Sequence, residues 1–131
     1  MMKIVIIASG GAIGAVMRYG ISGFAYRIGG SSFPWGTLAV NLLGSLVIGI
    51  LWALTQRFPL GPQWKAFLLI GLLGAFTTFS TFSLENMNLI KEGQHIVAFA
   101  NVLISVFFGI ALAYGGFLGT NFLIRFLNPW L

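Results

Sequence analysis

Gly71-Leu72-Leu73-Gly74-Ala75-Phe76-Thr77-Thr78-Phe79-Ser80-Thr81-Phe82-Ser83 lies within a long apolar segment, and its second half carries five hydroxyls in the seven residues 77–83. Hydrocarbon cannot satisfy such a run, so the hydroxyls must face protein or an aqueous path. Gly71 and Gly74 just before it loosen a helix, and Ser and Thr side chains can bond the backbone groups that a break would free. The pattern predicts a membrane helix broken near the bilayer centre. Broken helices build ion sites in membranes, where exposed carbonyls suit a cation and hydroxyls, amides and aromatic edges suit a small anion. A Ser/Thr-rich packing face with two core phenylalanines would account for any one of these residues, but poorly for the whole run.

Outward from this stretch the chain is uniformly apolar. Of its 131 residues 58% are hydrophobic and only 7% charged, too much apolar surface for a soluble domain of this size to hide. A crossing needs roughly 20 apolar residues, so there is room for four or five and no soluble catalytic domain. Turn and breaker residues divide the chain into crossings at about Ile4 to Arg27, Trp35 to Thr55, Lys65 to Asn88 and Ile96 to Ile124. Between them lie the turn from Gly29 to Pro34, the Arg57-Pro59-Gly61-Pro62 loop and the turn from Lys91 to His95, and a short aromatic tail, Phe126 to Leu131, follows. The expected fold is one all-α membrane domain over residues 1–131, with both ends on one side. Apolar character continues past Ala8 and Ala12 to Phe24 and Ala25, so the start reads as a crossing rather than a cleaved signal. The net charge of +5 comes from basic residues scattered singly between the spans, the pattern of membrane anchors and not of a nucleic-acid surface. With no cysteine there is no thiolate chemistry or disulfide, and His95 lacks companion ligands for a metal.

Small residues recur at helical spacing in Gly10 with Gly14, Gly11 with Ala15, Ser45 with Gly49 and Gly115 with Gly119, which lets helix backbones approach closely. Arg18 stands inside an apolar crossing with no acid in the first two helices, so it either snorkels to the interface or meets water, a partner or an anion. Asn41 is an intramembrane amide that both donates and accepts, as helix–helix glue or as an ion contact. Glu85 follows the hydroxyl run by less than a turn, placed to line a vestibule, pair with Arg18 or sit at the interface.

Three blocks together resemble the Fluc family of fluoride channels, also called CrcB proteins. They are Gly10-Gly11-Ala12-Ile13-Gly14 leading to Arg18, Gly36-Thr37-Leu38-Ala39-Val40-Asn41, and the stretch from Gly71 through Ser83 with Glu85. The resemblance covers essentially the whole chain, and the third block is its most specific part. It implies fluoride export across the cell membrane by an antiparallel homodimer of dual topology, with two pores and a structural sodium ion at its centre. By motif, the backbone oxygens of Gly74 and Thr77 from both subunits would hold the sodium. Phe79 and Phe82 match the phenylalanines along the fluoride path, Asn41 the pore amide, and Ser80 and Thr81 the hydroxyl track. Arg18 matches an arginine near the pore mouth by position alone. The polar track of such channels continues along the fourth helix, where this chain has Ser105 but then Gly109 and Ala113. The far end of the path is left open there, for water or backbone to replace the missing hydroxyls.

Other four-helix proteins fit less well. A small multidrug-resistance transporter needs an acid in its first helix to bind cations, and Arg18 has the wrong sign. A non-transporting assembly subunit would explain the small-residue motifs but not the hydroxyl run at a break. No nucleophile–base pair or metal cluster can be assembled, which argues against an enzyme. Lys3, Arg57, Lys65 and Arg125 fall on the terminal side and Arg18, Arg27 and Lys91 on the other, four against three. Such a balance gives the positive-inside rule little to act on, so insertion in both orientations is expected.

Overall fold

A computed structural model describes residues 1–127, and residues 128–131 of the aromatic tail lie outside the described residues. Four helical spans follow one another, Met2–Gly29, Trp35–Arg57, Pro62–Lys91 and His95–Leu127, each long and apolar enough to cross a membrane. They run a few residues beyond the apolar stretches, because backbone hydrogen bonding continues into the interface after the apolar side chains end. Gly30 and Gly93 turn the chain between spans with positive φ of 78° and 77°, which a side chain would resist.

The third span is not one helix. An α-helical turn, Pro62–Lys65, leads into a π-helical stretch, Ala66–Leu73, and a last α-turn, Gly74–Phe76. Thr77 (φ −84°, ψ 158°) and Thr78 (φ −149°, ψ 114°) are extended, and a new helix runs over Phe79–Lys91. The expected break therefore lies at the first two hydroxyls of the run. The π winding before it was not expected, and it coincides with the closest approach of the first helix. There a Cβ on Gly10, Gly14 or Gly71 would collide with the backbone of the facing helix.

Packing follows two pairs, the first helix against the π stretch and the second against the fourth helix, joined through the first and second. Gly49 sits against the Ala113 backbone and Gly116 against the Leu46 carbonyl, leaving no room for a side chain at either glycine. Of the expected small-residue pairs, Gly10 with Gly14 forms a helix contact, while Gly115 and Gly119 have nothing within 4 Å. Their neighbour Gly116 is the residue turned toward the second helix. Val40, Leu73 and Phe76 make a small buried core at the break, surrounded by Ile21, Ile48, Leu51, Leu69 and Leu72. Most of the remaining large apolar side chains are exposed, among them Phe99, Phe107, Ile110 and Phe122. Lipid or another copy must cover such a surface.

Candidate ion pathway

The break is held by side chains that replace missing backbone bonds. Thr77 turns back onto the carbonyl that ends the π stretch, its N–H and Oγ1 both donating to Leu73 O at 3.1 and 3.0 Å. Thr78 caps the next helix, its Oγ1 accepting from Thr81 N–H at 3.2 Å and donating to Thr81 Oγ1 at 2.9 Å. Ser80 Oγ joins the group at 3.4 Å from Thr78 Oγ1. From the second helix Asn41 engages both backbone groups of Thr78, with Oδ1 accepting from its N–H at 2.8 Å and Nδ2 donating to its carbonyl at 3.0 Å. An amide carries two N–H bonds, so Asn41 keeps one donor beyond this clamp.

The last four carbonyls of any helix lack partners one turn on. For Gly74 the N–H that would have served, that of Thr78, is taken by Asn41, and for Thr77 that of Thr81 is taken by the Thr78 hydroxyl. Among the described residues no hydrogen bond ends on the carbonyls of residues 74–77. Gly74 and Thr77 also border a cavity of about 250 Å³ with Gly44 and Ser45, and Gly74 is exposed on the outside of the chain. This donor set, neutral oxygen without carboxylate or imidazole, suits a hard, weakly charged cation.

Arg18 and Thr81 line a second cavity of about 580 Å³ between the first two helices and the break, together with Tyr19, Ser22, Tyr26, Thr37 and Thr78. Behind its wall Glu85 Oε1 accepts from Tyr26 Oη at 2.6 Å and Thr37 Oγ1 at 2.7 Å, while Oε2 is buried without a partner. Glu85 does not line that cavity; it borders a separate one of about 170 Å³ with Tyr26 and the turn residues Ser31, Phe33 and Pro34. It makes no ion pair with Arg18 among the described residues. The sequence gives no role to Tyr26, and Thr37 enters there only within the second block, although a hydroxyl in an apolar crossing is itself a signal.

Phe79 and Phe82 lie together, ring centroids 5.6 Å apart and tilted by 37°, but not in that cavity. Phe79 is 80% exposed, Ser80 is exposed beside it, and both face out of the helical bundle. Ser105 reaches Phe82 through two asparagines. Its Oγ donates to Asn101 Oδ1 at 3.3 Å, Asn101 Nδ2 to Asn86 Oδ1 at 3.3 Å, and Asn86 Nδ2 to the Phe82 carbonyl at 2.7 Å. Asn101 is 1% exposed, a fully buried amide one turn before Ser105 that the sequence reading passed over. Where Gly109 interrupts the hydroxyls, a Cβ would stand 3.5 Å from Ser45 Oγ, so the second helix presents a hydroxyl at that level. The expected residues thus divide. Arg18 and Thr81 share the inner cavity, Phe79 and Ser80 the outer face, and Asn41 sits at the break between them.

The chain matches the family model for "CrcB-like protein, Camphor Resistance (CrcB)" over residues 5–117. Among curated proteins it is similar to three called "Fluoride-specific ion channel FluC". That of Magnetococcus marinus is 52% identical over 116 residues, covering 88% of this chain and 94% of the relative. The protein of Shewanella amazonensis is 47% identical over the same shares. That of Leptospira interrogans is 46% identical over 115 residues, 87% of this chain and 91% of the relative.

Proposed function

This chain belongs to the CrcB family, and from that premise we propose that it is a fluoride channel, a multi-pass protein of the cell membrane and not an enzyme. The similarity to named fluoride channels along nearly nine-tenths of the chain carries the reading. The geometry supplies a physical account. Fluoride surrenders strong hydration on leaving water and needs donors throughout its path. Arg18 raises the anion's concentration in the inner cavity, and the Thr81 hydroxyl, which accepts from Thr78 and keeps its own proton, offers a donor at the break. The remaining N–H of Asn41 and the positive ring edges of Phe79 and Phe82 continue the contacts. Ring edges hold an anion weakly, which favours escape over trapping. In liposomes containing the purified protein, fluoride should leave while chloride stays. Equal efflux of both, or of neither, would overturn the assignment.

The finer architecture, two pores in an antiparallel homodimer with central sodium, is also our proposal. Near-equal basic charge at the two ends supports dual topology, and the outward placing of Gly74, Phe79 and Ser80 supports a second copy over the break. The unpartnered carbonyls of Gly74 and Thr77, doubled across such a dimer, would hold the ion, which supplies positive charge without a buried ionic side chain. Replacing all sodium by a bulky organic cation, with long equilibration, should destabilise the dimer and stop flux. C-terminal reporter fusions should report both orientations. Indifference to sodium would refute the cation site, and a single orientation would refute the pairing.

A further inference from the structure

The far ends of the second and fourth helices enclose an open cavity of about 530 Å³ that the ion pathway does not use. Its polar wall is Gln56, Asn121 and Arg125, and its apolar wall is Phe117, Leu118 and Phe122. Asn121 is fixed in place, its Nδ2 donating to the Phe117 carbonyl at 3.0 Å and its Oδ1 accepting from Arg57 Nε at 3.5 Å. A second guanidinium therefore stands against this wall.

Charge is sorted along the molecule. The chain's two acids lie at the opposite end, Glu85 in the last two turns of the third span and Glu92 just after it. Lys3, Arg57, Lys65 and Arg125 share the end that holds the cavity, with no Asp or Glu side chain among them. Length places Arg125 at the headgroups. The fourth helix has 33 residues. At about 1.5 Å per residue a helix of that length spans about 50 Å, against a hydrocarbon layer of about 30 Å.

From this combination we propose that the cavity binds the phosphate of an anionic phospholipid, its acyl chain lying along the exposed Leu118 and Phe122. Guanidinium and amide donors match phosphate oxygens in a planar fork, and the apolar wall distinguishes a lipid from a free phosphate ion. Simple snorkelling of Arg125 would require no cavity and show no saturable site.

The test is a titration of the purified full chain in neutral detergent, read by thermal stability and native mass spectrometry. Its probes are phosphatidylglycerol, phosphatidylcholine and inorganic phosphate. We expect saturable binding of phosphatidylglycerol, weakened about tenfold by Arg125→Gln as for loss of one charge-assisted contact. Arg125→Lys should restore part of the affinity, and Lys91→Gln at the other end should leave it unchanged. Weak binding of inorganic phosphate alone would support the lipid as ligand. Equal binding of inorganic phosphate would overturn the lipid assignment. Equal binding of phosphatidylcholine, or full affinity in Arg125→Gln, would overturn the site. Fluoride efflux is read separately, so the proposal and the channel reading can fail independently.

Discussion

Replacing Asn41 by leucine is expected to cost about 2–4 kcal/mol of stability, since it would strand both backbone groups of Thr78 at roughly 1–3 kcal/mol each. Thr78 is buried, so water does not readily take over. Leucine keeps the branched skeleton of asparagine and leaves no cavity, which separates the loss of the clamp from a loss of packing. Membrane reference states find alternative partners and reduce such penalties, which favours the lower half of the range. The measurement is thermal unfolding in detergent, paired with flux per folded protein. With the clamp gone, the extended Thr77-Thr78 segment is free to move and the carbonyls of Gly74 and Thr77 lose their aim, so flux should fall further than the folded fraction. A variant as stable as the parent would show that the two short bonds do not hold the break.

The second large effect is expected at the phenylalanine pair. Phe79→Ile and Phe82→Ile keep apolar bulk but remove the ring quadrupole. An edge worth about 1.4 kcal/mol at the barrier corresponds to a tenfold loss of rate. Phe79 is largely exposed, so its replacement should leave the fold of the chain intact and act on fluoride flux alone. Phe76 makes the contrast. It is 4% exposed and packs with Val40 and Leu73, so Phe76→Ile should lower stability by about 1–3 kcal/mol, with less change in flux per folded molecule. Normal conduction by both Phe79→Ile and Phe82→Ile, with a folded but dead Phe76→Ile, would place the pore on another face.

Several parts of the candidate site were legible because their signal is local. Arg18, Asn41 and the run from Thr77 to Ser83 are polar groups in apolar spans, and each such group needs a partner or a function. The same rule, applied to Asn86 and Asn101, would have found the chain of amides behind Phe82. Neither position carries a charge or stands in a dense polar run. Glu85 was recognised as a candidate, but its partner is Tyr26, 59 residues away, rather than the arginine.

By itself the sequence determined the four crossings and the position of the break. Both follow from short-range chemistry, apolar length against bilayer thickness and glycines next to hydroxyls. Only the tertiary structure decided which face each polar group uses. Spacing of three residues puts Phe79 and Phe82 side by side, yet says nothing of which neighbour they meet. That depends on the rotation of one helix against another. The extended residues at the break set this rotation anew, turning Thr81 inward and Phe79 outward within three positions. The clamp of Asn41 on Thr78 spans 37 residues of chain and exists only where packing of small residues brings the second helix to the break. The π winding of Ala66–Leu73 belongs to the same level. No residue there demands it, and it occurs where the glycines of the first and third spans bring two backbones into contact.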